Sequence, residues 1–535
     1  MVHADYIQKN NHDESFILIG NIHIKYNKYH LFCDKAIYYK ENNRFYGYGN
    51  VQLKSEKNKI ISQKIYIEDH FYHFKLSGRV VLYLYEDKTK LMANVMNYNF
   101  RKKLLQAIDN VVLLKNNIKL TTNILEYNFK IKKIHYKGYG VIHYDDYTIS
   151  SKEGFFLTEK NKAKLIDKIK LVSKNYIVYS DVLEFFLKKN QINFNHPTIV
   201  VQNTNSNNFL YTKKALFLIK KKIFFFNQNI SIHYNGKIIR GKYLFFDQKK
   251  QNGFIKNVLL EDSKKKYFLM GEYGKFDFKH DFFILNKNIK IVKRSKENSI
   301  FIFSNILKIK KIKNSAFFIQ AFTVKSFFLN GKIQGKCNVL NYDSSNNYIQ
   351  FDGNTIFWYK NKQLSGNSIF IHFREGNEDS LKYIKIIKNA FYIEKINSLY
   401  FNQVEGEIMI GFFNKKNFLK KILIQGNTNS IIFLPFPSYK GIKLIHKFFC
   451  GTLSLNLDDL DNKKIKIKKI LCTENAQSEL IPISPITPKK FFFLSNFVWK
   501  EKEKPKMDYK KIDQKMEKYR KENMLEQEQI LKIKK

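Results

Sequence analysis

The chain repeats itself. In residues 20–51, GNIHIKYNKYHLFCDKAIYYKENNRFYGYGNV, a Gly-Asn pair is followed by alternating apolar residues, and the pair returns at Gly49-Asn50. In mid-unit a small residue precedes a polar or charged one, as in Cys33-Asp34. With the second of the two as marker, copies fall at Asp5, Asp34, Gln63, Asn94, Asn123, Lys152, Asp181, Lys213, Lys242, Glu272, Asn305, Lys336, Asn367 and Glu407. A fixed period between about 20 and 50 residues belongs to stacked architectures in which each unit buries its apolar face against the next. That overrides the prior of ~100–200 residues per domain.

What each copy keeps is geometric. The residue before the marker is small, as in Cys33, Ser180, Gly335, Gly366 and Gly406. Three residues before it the side chain is aliphatic: Leu31, Ile60, Leu91, Leu120, Ile149, Val178 and Ile239 are examples. Two and four residues after it apolar side chains return, as in Leu125 with Tyr127, Leu183 with Phe185 and Leu244 with Phe246. Period-2 alternation specifies strand. The alternation changes parity at the marker, so an extra residue, a β-bulge, is expected there, bending the strand into two walls. Gly20-Asn21 and Gly49-Asn50 read as matching corners on the alternate strands. Cys33, Asp34, Ser180, Asp181, Gly335, Gly366 and Gly406 are therefore expected as corner residues. The fold class is all-β: an elongated two-walled β-jelly-roll, or β-taco, of about fourteen antiparallel hairpin repeats of ~30 residues with a short charged C-terminal tail. At ~4.8 Å per strand the stack would run on the order of 130 Å.

Residues 1–200 hold the regular repeats and 201–430 more divergent ones. Residues 431–500 read as C-terminal strands and a closing segment, and 501–535 as a charged helical or disordered tail. Residues 374–379 read as an exposed loop and Asp458–Asp461 as an acidic turn. The marker at Asp5 places the start of the sequence inside a unit, so a truncated start or a removed targeting segment is expected. No apolar run approaches the ~20 residues that a transmembrane helix needs.

The formal charge of +47 comes almost entirely from lysine, with only seven arginines. Lys, Asn, Ile, Phe and Tyr all have AT-rich codons, so compositional drift accounts for most of the excess. Scarce arginine and scattered lysines argue against nucleic-acid readout and leave a general attraction to anionic surfaces. Cys33, Cys337, Cys450 and Cys472 form no C-x-x-C pair and read as small core residues, with a long-range disulfide open. No phosphate loop, H-E-x-x-H or nucleophile elbow occurs, so no catalysis, metal or cofactor is expected. The corner carboxylates Asp5, Asp34 and Asp181 are replaced by Lys, Asn or Gln in other copies, which assigns them to corner capping.

The strings at 20–53 and 148–156 (TISSKEGFF), SLYFNQVEGEIMIGFF at 398–413, ILIQGNTNSIIF at 422–433 and FFFLSNFVWKEKEKPK at 491–506 resemble the OstA-like, LptA-type repeat proteins of Bacteroidota. The resemblance implies a periplasmic, outer-membrane-associated bridge of lipopolysaccharide export. Its apolar slot would shield acyl chains, and its end strands would dock to other jelly-roll proteins and the outer-membrane translocon by strand addition. The residues named at −3, +2 and +4 are the expected slot lining. A structural or adhesive β-stack with a closed core is the competing reading, because periodicity is the same for a slot and a core. A basic nucleic-acid binder is the third.

Overall fold

The computed structural model describes residues 1–506 and Gln514, apart from 11, 13, 70–71, 235, 263–266, 295–298, 312–316, 330–332, 375–376, 436–441 and 461–463. The tail beyond 506 thus falls almost entirely outside the described residues. Of the loop expected at 374–379, residues 375 and 376 lie outside them too, while Arg374 and Asn377 already pair as strand ends. Of the expected acidic turn, Asp458 and Asp459 continue the strand Ile442–Leu460 and pair with Lys466 and Ile465. The rest of that turn lies outside the described residues. Thirty-four strands run through the described residues. They group into two compact units, Met1–Asn235 and Gly236–Arg520. None of the described helices is long and apolar enough to cross a membrane.

In each unit the long strands are antiparallel to their neighbours in sequence, and where a strand is split at its corner, as at Gln191–Phe194 and Thr198–Gln202, both halves pair with the same long strand. Tyr29–Tyr39 pairs with Ser15–Tyr26 on one side and Arg44–Lys54 on the other. In the second unit Lys362–Arg374 lies between Tyr348–Tyr359 and Asn377–Lys395. One repeat is thus two strands, such as the 12 residues of Ser15–Tyr26 and the 11 residues of Tyr29–Tyr39, with their two turns. The sequence period and the hairpin coincide for that reason.

Every regular strand bends at its middle, and the register shows how. Phe32 pairs with Gln52 and Lys35 with Tyr48, so two residues on the marker strand face three on its neighbour. On the other side Ile19 pairs with Lys35 and Ile22 with Cys33, so one marker residue faces two. The extra residue therefore lies on the Gly-Asn strand and not on the marker strand, where the change of parity places it. The reason is conformational. Gly49 (φ +75°) and Asn50 (φ +43°) are consecutive left-handed residues, as are Gly20 and Asn21. Glycine and asparagine enter that region at least cost. The marker strand turns instead on two outward residues, Asp34 and Lys35, between buried Cys33 and Ala36, and this produces its change of parity.

One marker needs correction. In Ile333–Asp343 the register shift falls between Lys336 and Val339, and Gly353 (φ +72°) packs against Asn338. Cys337-Asn338 is the corner, two positions beyond Gly335-Lys336. Gly335 takes the place of the −3 aliphatic residue because the Phe327 ring fills the space its side chain would occupy. Cys337 is the small residue of the corner, buried like Cys33.

At the C-terminal end, Ile442–Leu460 is covered in two halves, by Lys464–Thr473 and Gln477–Pro482. A disulfide joins Cys450 to Cys472 across the first pair. Cys450 and Cys472 thus depart from the core-thiol reading, while Cys33 and Cys337 keep it. The chain then returns over the sheet as an extended strap over residues 483–504.

Candidate functional site

The site begins with the inward faces of the walls. Leu31, Ile60, Leu91, Leu120, Ile149 and Val178 face inward before the corner, and Leu125, Tyr127, Leu183 and Phe185 after it; all are buried. In the second unit Leu244 is buried, whereas Ile239 and Phe246 are half-buried. In the first unit the expected lining thus belongs to a nearly closed apolar interior.

Side chains at the open edge, away from the corners, join the walls of the first unit. Tyr29, near a turn of one wall, meets Phe100, near a turn of the other, edge to face with ring centroids 5.3 Å apart. Tyr127 Oη donates to Asp87 Oδ2 at 3.3 Å and Tyr144 Oη to Asn190 Oδ1 at 2.8 Å. Lys115, buried along its stem, reaches Asp87 at 3.6 Å and lies over the Phe156 ring. Burial, reinforced by the Asp87 charge, pushes the Tyr127 phenol up to about 12. Between the walls remain a cavity of about 190 Å³, lined among others by Tyr29, Leu31, Phe74 and Phe100, and one of about 50 Å³ reached by Leu113, Leu120, Tyr136 and Phe185.

The corners form a second, outward row. Asn50 Nδ2 donates to Asp34 Oδ2 and Asn21 Nδ2 to Asp5 Oδ2, each at 2.8 Å. Asn94 donates to Asp109 at 2.6 Å, and Lys152 pairs with Asp167 at 2.9 Å. Marker and left-handed residue thus cap each other with whichever polar groups are at hand, the capping role read from the sequence. Ser180 turns inward at its corner and accepts a hydrogen bond from Thr198 Oγ1 at 3.1 Å, while Asp181 is exposed. Gly366 and Gly406 leave room for Ile386 and Ile424.

A family model described as OstA-like protein matches residues 1–103 and again 78–181. Residues 1–181 are thus similar to OstA-like repeats. The two matches overlap, as expected when a model of several hairpins is laid on a longer array. No curated protein matches the chain. Among solved structures, LptH from Pseudomonas aeruginosa, the LptA homologous periplasmic component of the conserved lipopolysaccharide transport device, covers 29% of this chain and 95% of its own, at 11% identity and a TM-score of 0.20.

Downstream of these OstA-like repeats, the strap in the second unit carries contacts that sequence reasoning misses. Gln403 donates from Nε2 to the Phe492 carbonyl at 2.8 Å and accepts the Leu494 N–H at 2.9 Å. Gln363 does the same further along the strap, to the Val498 carbonyl at 2.8 Å and from the Lys500 N–H at 2.9 Å. Both glutamines are buried and sit four positions before their markers, Asn367 and Glu407. Between them Phe492, Leu494, Phe497 and Trp499 pack on Phe391, Phe401 and Phe433. Glu501 and Glu503 pair with Lys395 and Lys336. A glutamine recurring at −4, where most other copies carry an apolar or basic residue, is the available signal. Among the described residues no group of three His, Cys, Asp or Glu is placed to hold a metal ion.

Proposed function

We propose that this chain is a periplasmic bridge of lipopolysaccharide export, and that its walls part to take acyl chains between them. One observation carries the reading: in the first unit the apolar interior is closed at its open edge by side-chain contacts such as Tyr29 with Phe100, not by backbone pairing. Separating the walls there breaks no strand ladder. The free energy for doing so is available from the ligand, since burying acyl chain is worth ~0.8 kcal/mol per CH₂. The OstA-like repeats of residues 1–181 support the same reading through the family they resemble. Surface lysines would hold the phosphates of the head group.

Docking to a further jelly-roll protein, or to the outer-membrane translocon, would use the edge formed by Val2–His3 and Tyr6–Asn10. Among the described strands each of these pairs only with Ser15–Tyr26, and Val2, Tyr6 and Ile7 are exposed. An unpaired edge of that kind accepts an added strand. A permanently closed structural stack is the second reading, favoured by the burial of the interior residues.

Mass spectrometry of lipid that copurifies with the periplasmic protein tests the proposal. A glycolipid of the lipid A type supports it. Lipid-free protein from cells that make lipopolysaccharide supports the closed stack.

A further inference from the structure

In the second unit an open cleft of about 530 Å³ lies between the strap and the row of corners. That volume is within the range of small-ligand sites. Its floor is apolar: Ile356, Ala390, Phe391 and Ile393, all buried. One bank is the corner row, with Asn354, Asn367, Asn389 and Asn427. The other is the strap, with Asn496 and Lys500.

The polar groups of the cleft are amides, a hydroxyl pair, two carboxylates and one ammonium. Asn389 donates to Asn367, and Asn429 and Asn496 both donate to Glu405 at 3.2 Å, which orients that carboxylate. Asn354, Asn427 and Ser365 line the cleft and engage no side-chain hydrogen bond among the described residues. Thr355 Oγ1, fully buried at the cleft, has no partner either. Asn354 and Asn427 are exposed and free to bond a ligand, and the buried Thr355 hydroxyl is costly to leave unpaired, so their natural complement is a ligand that both donates and accepts.

Charge narrows the class. In a chain of +47, this cleft holds Glu405 and Glu407 against Lys500 alone. A phosphate or polyanion would meet net repulsion here. Amides that offer a donor and an acceptor side by side match the hydroxyls of a sugar. We propose that this cleft binds an uncharged, hydroxyl-rich glycan, with the strap supplying one bank of the site. The site is separate from the apolar interior, so it stands or falls independently of lipid carriage.

The test is saturation-transfer NMR and calorimetry on the full chain, with two uncharged probes: an oligomer of N-acetylglucosamine, standing for wall polysaccharide, and a neutral, phosphate-free O-chain oligosaccharide released from lipopolysaccharide. Saturable binding of either supports the cleft and names the source. Asn389→Gly, which keeps the left-handed backbone (φ +55°) available, and Asn496→Ala should each weaken that binding about tenfold with unchanged circular dichroism. Failure of both probes to saturate overturns the proposal. So does equal binding by wild type and both variants, or a preference for polyphosphate that Lys500→Ala abolishes.

Discussion

Phe100 stands edge-on to Tyr29 across the open edge of the first unit, although the two are far apart in the chain, and so joins one wall to the other. Phe100 also packs on Phe74 and Tyr98, at 4.8 and 4.5 Å between centroids. The edge is therefore held by a small aromatic cluster rather than by a single pair.

A double-mutant cycle with Tyr29→Leu and Phe100→Leu, read by chemical denaturation, should give a coupling of ~0.5–1.5 kcal/mol. Zero coupling would mean that the two walls do not hold one another there.

Alkaline pH should loosen the interior of the first unit. The phenols of Tyr98, Tyr127 and Tyr136 are pushed up to about 12 by burial, against 10.0 when exposed. The folded state therefore holds their protons more tightly than the unfolded state. The stability this reflects is complete below about pH 10 and is lost as pH rises toward 12. Phenolate absorbance should rise together with unfolding above pH 10. Ionisation of every tyrosine near pH 10 in a still-folded protein would contradict the burial.

Crowding at and beside the corners makes a local prediction. Ser180→Leu should cost ~1–3 kcal/mol by overpacking, and Gly335→Leu should cost at least as much because the Phe327 ring occupies the space. Asn42→Leu, at an exposed turn, should be close to neutral in the same thermal melts.

The repeat makes the hairpins and their inward faces legible, because period-2 burial leaves its mark on every copy. The corner at Cys337-Asn338 is harder to read because Gly335-Lys336 also offers a small residue before a polar one. The interval from Asp34 to Gly49, which recurs from Asn338 to Gly353, identifies the true corner. The wall-to-wall contacts are not legible. Tyr144 and Asn190 lie 46 residues apart, and their meeting depends on how far one wall is staggered against the other, which no local pattern records. The strap is visible only as a resembling segment; its hold through Gln363 and Gln403 depends on side chains that a strand pattern treats as outward.

Gln403→Leu should release the strap locally. It leaves the Phe492 carbonyl and the Leu494 N–H without partners, at ~1–3 kcal/mol for each group that stays buried. Hydrogen exchange and proteolysis over residues 483–503 should rise while the amides of Tyr29–Tyr39 stay protected. Unchanged exchange in the strap would show that its aromatic side chains alone hold it.

Reduction of Cys450–Cys472, which closes a loop with a sequence separation of 22, should cost ~3 kcal/mol in the chain-entropy account. Faster exchange should be confined to Ile442–Leu460 and Lys464–Thr473. Cys33 and Cys337, whose thiols burial pushes up to about 12, should resist alkylation until the protein unfolds.

The most direct measurement is photo-crosslinking in cells from Leu120, Leu125, Val178 and Leu183, which face inward from both walls and are all buried. Lipid can reach them only if the walls part. A bridge for acyl chains predicts capture of lipopolysaccharide or its lipid A precursor at these four positions and none at the exposed turn residues Asn42 and Glu56. Folded periplasmic protein that captures no lipid at any of the four would contradict the bridge and leave a closed structural stack.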